Sequence, residues 1–86
     1  MNIAGLVILY NPDNHLIRNI QTYRHLINRL YIIDNSENEH NETIEQLMKL
    51  NECILIREGI NKGIAASLNQ GCSLAKKDGF TELLTM

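Results

Sequence analysis

Four short apolar runs divide the chain, and the segments between them carry apolar residues three and four positions apart. From Ile3 to Tyr10 the run is broken only by Gly5. A continuous run, unlike strict alternation, predicts a strand covered on both faces, as in a parallel sheet. It stops at Asn11-Pro12-Asp13-Asn14, a turn and helix-start signal in which Asp13 or Asn14 can cap. Leu16, Ile17, Ile20, Tyr23 and Ile27 then repeat at helical spacing, predicting a first helix of about three to four turns. Residues 30–33 form a second run, which ends at Asp34-Asn35-Ser36 and gives way to a polar loop from Glu37 to His40. A second helix opens near Asn41, with Ile44, Leu47, Met48 and Leu50 on its buried stripe. Cys53 to Ile56 is the third strand, and a fourth begins at Thr81 and runs to Met86.

The stretch from Asn61 to Gly71 starts a third helix. Ile64, Leu68, Gly71, Cys72 and Ala75 fall on one stripe, beside a face of small side chains: Ala65, Ala66, Asn69 and Ser73. Lys76 and Lys77 in the last turn, with Gly79 just beyond, suit the C-terminal dipole and a left-handed cap. Gly59 and Gly63 flank the preceding turn. Backbone N–H groups at such a helix start attract phosphate, and a nearly bare helix shoulder lets a ligand approach closely. The plainer alternative is that small residues serve tight helix-on-sheet packing. Both stand at this point.

Connections too long for hairpins join alternating strands and helices, so βαβ units and a parallel sheet follow. The expected class is α/β: a three-layer open sheet of about four mainly parallel strands with three helices. Ligands of such sheets sit outside the carboxyl ends of the strands. Tyr10-Asn11, Asp34-Asn35-Ser36 and Glu58-Gly59-Ile60-Asn61 are distant in sequence and should share that rim. An Asp34 carboxylate there can accept a hydrogen bond from the N3–H of uracil or thymine, or simply form an Asx turn leaving the strand. The Asn11 amide can reach a ribose or base, or hold the turn before Pro12. Arg57 and Lys62 can neutralise phosphate, or remain solvated cations.

Composition narrows the function classes. Eighty-six residues allow one domain, and 44% hydrophobic with 21% charged residues is ordinary globular usage. A net charge of −2 without a basic stripe gives no reason to expect nucleic acid. No apolar run approaches the roughly 18–20 residues that cross a bilayer, and the N-terminus lacks the basic region of a secretory signal. A cytoplasmic protein, at most at the cytoplasmic face of the membrane, is the expectation. Cys53 and Cys72 read as core thiols, and His15, His25 and His40 as surface histidines. Dinucleotide, phosphate-loop, zinc-helix and nucleophile-elbow signatures are all missing.

Leu9-Tyr10-Asn11-Pro12, Ile32-Ile33-Asp34-Asn35-Ser36, Asn61-x-Gly63 with Asn69-x-Gly71, and the run from Ala75 to Thr85 with Gly79 occur in one order. In that order they resemble the family-2 glycosyltransferases, specifically the bacterial rhamnosyltransferase-like branch, over essentially the whole chain. The resemblance implies the N-terminal, nucleotide-sugar-binding half of a GT-A fold, with an acceptor-binding half after it. The activity implied is inverting transfer of a sugar, rhamnose in that branch, from a dTDP- or UDP-linked donor to a glycan or lipid-linked acceptor, as in cell-envelope polysaccharide biosynthesis. By matching position, Tyr10 and Asn11 would line the nucleotide pocket and Asp34 would hold the base. Asn61 and Gly63 would lie near the ribose and diphosphate, with Lys62 the candidate cation.

Two departures stand out. Relatives often carry Ala-Arg-Asn where this chain has Ser67-Leu68-Asn69. The Asp-x-Asp motif that holds Mn²⁺ or Mg²⁺ is expected just after Met86, so the 86 residues are expected to be a partial domain without catalytic residues or metal ligands, inactive alone. Self-association by edge pairing or exchanged elements, involving the end from Thr81 to Met86, is expected too. A different class, a non-enzymatic flavodoxin-like or receiver-like protein-binding module, is the alternative. A receiver needs acidic residues after strand one and an Asp after strand three, where this chain has Tyr10-Asn11 and Glu58.

Overall fold

Alternate residues of the strands bury themselves in opposite directions, and that sorts the chain into layers. Val7, Leu9, Leu30 and Ile32 pack with Ile20 on one side; Ala4, Leu6, Tyr31 and Ile33 pack with Ala75 on the other. The computed structural model describes residues 2–10, 15–36, 42, 45, 46, 49 and 53–85. Within them, β1 (Ile3–Leu9), β2 (Arg29–Asp34), β3 (Cys53–Arg57) and β4 (Glu82–Thr85) form one sheet in the order β3-β2-β1-β4. Every pairing is parallel. Helix α1 (His15–Tyr23) supplies Ile20 to one face, and α2 (Ile64–Lys77) supplies Ala75 to the other.

The α/β class, the three layers and the parallel sheet agree with the pattern of apolar runs. The helix expected near residues 41–50 falls mostly outside the described residues, although Glu42, Glu45 and Gln46 are helical. The first helix is shorter than its apolar spacing suggests. It tightens into a 3₁₀ turn at Arg24–Leu26, and Ile27 packs on the core from beyond the helix.

Helix α2 needs a larger correction. Ile64 is 69% exposed and Cys72 is exposed, so neither belongs to the buried stripe, and Cys72 is no core thiol. The buried residues are Ser67, Gly71 and Ala75, with Leu68 and Leu74 packed beside them. Closeness decides this. A Cβ built at Gly71 would stand 2.5 Å from both terminal methyls of Leu6 in β1, so the helix turns its smallest side chains to the sheet. Ala65, Ala66, Asn69 and Ser73 face solvent as expected.

The far end of α2 is closed by backbone geometry. Gly79 takes φ 89°, the Gly79 N–H donates to Lys76 O, and the Phe80 N–H donates to Ala75 O. This pair of bonds with a left-handed residue is the Schellman motif. Phe80 packs in the same cluster as Leu74 and Ala75. The Tyr31 hydroxyl donates to Asp78 at the helix end, the Arg29 guanidinium lies 3.4 Å from the same carboxylate, and Phe80 meets the Tyr31 ring edge-on. Asn2 Nδ2 donates to Gly79 O, and Asn28 exchanges two hydrogen bonds with Ile3. These contacts lock the amino end of the sheet.

Two outcomes follow for denaturation measurements. Alanine at Gly71 gains about 1 kcal/mol of helix propensity but drives a methyl into buried Leu6, an overpacking cost of typically ~1–3 kcal/mol. Gly71→Ala is therefore expected to lower stability in urea unfolding, and Leu6→Ala in the same chain to cost less than it does alone. Strict additivity of the two losses would refute the contact. Burial first, and then the hydrogen bond to Asp78, hold the Tyr31 phenol above its ordinary value of 10.0. The folded chain thus keeps that proton to higher pH than the unfolded chain. Stability from it is whole below the unfolded value and declines as pH rises through the folded one. Tyr31→Phe should flatten this alkaline decline in a series of melts above about pH 9.5.

Candidate functional site

Parallel strands end on one side, so residues from distant parts of the sequence meet there. Leu9, Asp34 and Arg57 lie side by side as register partners at the carboxyl ends of β1, β2 and β3. Asn35 extends the ladder, its N–H donating to Leu9 O at 2.7 Å. Asp34, Asn35 and Ser36 are all buried, unusual for three polar residues leaving a strand, and each is bonded.

Asp34 forms the Asx turn and an ion pair together. Its Oδ1 accepts the Ser36 N–H at 3.0 Å, and its Oδ2 accepts Arg57 Nε–H at 3.1 Å. Each carboxylate oxygen therefore keeps a second lone pair. Arg57 is not a solvated cation: its side chain is 26% exposed, and its Nη2 is buried with no hydrogen-bond partner. Asn35 and Ser67 exchange two hydrogen bonds, at 2.9 and 3.2 Å, fastening the first turns of α2 to the end of β2.

The segment entering α2 completes the rim. Asn61 Oδ1 accepts the Gly63 N–H at 3.1 Å, and Gly63, at φ 84° and ψ 163°, is the residue before the helix. No side chain caps the helix, and its first internal bond runs from Ser67 N–H to Gly63 O. The N–H groups of the first turn thus have no helical partner. Lys62 is held by Glu58 at 3.0 Å and also donates to Gln70, whose Nε2 donates to Glu58. The Lys62 hydrogen bond, followed by that of Gln70, keeps the Glu58 carboxyl below its ordinary range. Tyr10, Ile60 and Ile64 are exposed apolar residues on the same side.

Of the residues singled out from the sequence, Tyr10, Asp34, Asn61, Lys62 and Gly63 lie on this rim; Asn11 lies outside the described residues. His25 is exposed, as expected of a surface histidine. The part of Arg57 in holding Asp34, and that of Ser67 in holding Asn35, went unrecognised in the sequence. A signal for the first existed: Asp34 and Arg57 each follow an apolar run at the same distance from its start, which in parallel neighbours sets them side by side.

Among the described residues both rim carboxylates already carry a cation, Asp34 with Arg57 and Glu58 with Lys62. Among the described residues no three His, Cys, Asp or Glu side chains gather as a ligand set. No described helix is long and apolar enough to cross a membrane. A hollow of about 510 Å³ opens elsewhere, at the amino end beside β4, lined by Ile3, Leu26, Ile27, Leu83 and Leu84. Its lining is mainly apolar, and it belongs to a different end of the sheet from the rim. No family model matches the chain, and no curated protein or solved structure does either.

Removing Asp34 should strand a guanidinium that already has one unpaired nitrogen. Asp34→Ala is expected to cost close to, but less than, the ~3–5 kcal/mol of breaking a fully buried pair, because Arg57 keeps partial access to water. Ser67→Ala leaves the Asn35 amide without its partner and should cost about 1–3 kcal/mol. Thermal and urea melts of both variants measure this; a neutral Asp34→Ala would show that the pair holds nothing together.

Proposed function

We propose that the chain is the nucleotide-binding portion of a glycosyltransferase that moves a sugar from a uridine- or thymidine-diphosphate donor to a glycan acceptor. One observation carries this: Asp34, Asn61, Gly63 and the uncapped start of α2 share a rim at the carboxyl ends of parallel strands. In the order β3-β2-β1-β4, the chain leaves β1 for β2 on one side and returns to β4 on the other. The crevice where the direction reverses is where open sheets of this kind hold ligands. Flavodoxin-like sheets run 2-1-3-4-5, and that difference favours the transferase over a receiver-like module.

The chemistry then divides among named groups. The second lone pairs of Asp34 take the imide N–H of the pyrimidine, and the Asn61–Gly63 turn lies toward the ribose. Lys62 is committed to Glu58 and Gln70, so diphosphate charge falls mainly to the first-turn N–H groups of α2 and the positive end of its dipole. No catalytic base is assigned within these residues, and the rhamnosyl donor is part of the same proposal. So is self-association, since β3 and β4 are the outer strands of the sheet and open edges pair readily.

Titration with UDP and dTDP, with and without Mn²⁺, tests the binding. Amide shifts concentrated at Asp34, Asn61 and residues 63–66 are expected, with CDP giving none and no sugar transfer by the 86-residue chain. Absence of any shift at millimolar UDP or dTDP would sink the proposal. Sedimentation at tens of micromolar should show a dimer or larger species; a clean monomer would remove the self-association.

A further inference from the structure

The Arg57 guanidinium is used only by half on its side facing Asp34. Nε–H and one N–H of Nη2 point the same way in a planar guanidinium, a fork that matches the two oxygens of a carboxylate. Here Nε reaches Asp34 Oδ2 at 3.1 Å, whereas Oδ1 turns to the Ser36 N–H at 3.0 Å. Nη2 is left buried, without a partner. A buried donor in that state costs about 1–3 kcal/mol, and a structure that keeps one invites the question of what bonds it.

We infer that Arg57 is a second base-reading residue of the rim: its Nη2–H donates to a ring carbonyl of uracil or thymine while Asp34 Oδ2 accepts the neighbouring imide N–H. This rests on the proposed binding of a pyrimidine nucleotide. The fork places a donor directly beside an acceptor, and the O=C–N–H edge of an imide presents the reverse pair at adjacent atoms. The Asp34 side chain is 1% exposed and that of Arg57 26%, so the guanidinium is the movable partner. Nη2 is buried, so the guanidinium must shift toward the rim on its partly exposed side for this nitrogen to meet a base. Asp34 alone would accept any N–H offered to it; the pair selects a base edge that donates and accepts side by side.

Affinities of UDP and 2,4-dithio-UDP, which keeps the N3–H but replaces both ring carbonyls by poor acceptors, test the assignment in the full 86-residue chain. The unaltered chain should prefer UDP by about tenfold or more, the loss of one buried hydrogen bond to a charged group. Arg57→Gln and Arg57→Lys should both lose most of that preference, the lysine because it keeps the charge but has no fork. Melting curves establish that each variant is folded, and the lysine variant keeps a cation opposite Asp34 if the glutamine variant does not fold. A folded variant that retains the full preference overturns the role of Arg57 and leaves pyrimidine-nucleotide binding intact. Equal weakening of both ligands with the preference preserved also overturns it, because Arg57 then acts on the phosphates. If the unaltered chain binds neither ligand, the nucleotide-binding proposal itself falls, and this assignment with it.

Discussion

Helix α2 can approach the sheet closely only because position 71 carries no side chain, and the rest of the structure is tied to that approach. Leu6 fills the space beneath Gly71, which places Ser67 one turn earlier within reach of Asn35 at the rim. One turn later, Ala75 enters the core beside Ala4 and Tyr31. The two ends of the helix are then pinned independently. Asn35 holds one; Tyr31 and Arg29 hold the other through Asp78. A thicker residue at 71 would lift the helix from both anchors together, since a packed interface transmits displacement rather than absorbing it.

The rim illustrates how a parallel sheet handles polar burial. Three consecutive polar residues follow β2 into the interior, each unfavourable unless bonded. β3 supplies Arg57 to Asp34, α2 supplies Ser67 to Asn35, the backbone of β1 receives the Asn35 N–H, and Asp34 Oδ1 accepts the Ser36 N–H. The exit of β2 is therefore where β1, β2, β3 and α2 are joined. These bonds serve stability, and side chains locked by such bonds are also what a binding site needs.

The strands were legible because both faces are covered. A continuous apolar run as short as 30–33, bounded by polar turns, is too brief for a helix and suits a strand buried on both sides. The helix end at Gly79 announced itself through residue type. The phase of α2 was not legible. Hydropathy favours Ile64 and Cys72 over Ser67, but the packing distance at Leu6 favours small side chains whatever their polarity. Asp34 stands out in the sequence as a polar residue on the rim, in the right place for an Asx turn. Its ion pair was only half legible: Asp34 and Arg57 stand at matching distances from the starts of their runs, but a partner 23 positions away becomes a neighbour only once the two strands are known to pair. The strand order was equally out of reach, since the same alternation of elements serves several orders.

Among the described residues both cations on the rim are already paired, and this bears on how a negatively charged ligand would be met. Lys62 lies against Glu58, and Arg57 against Asp34. Neither can turn wholly to a phosphate without abandoning a carboxylate that is then left without its counter-charge. Exposed Glu58 would tolerate that, because water replaces the ammonium at little cost. Buried Asp34 would not, because the penalty for an unpaired interior charge is several kcal/mol. The two pairs therefore differ in kind. Lys62 is the cation that a ligand could recruit with little loss, while Arg57 could meet one only without releasing Asp34.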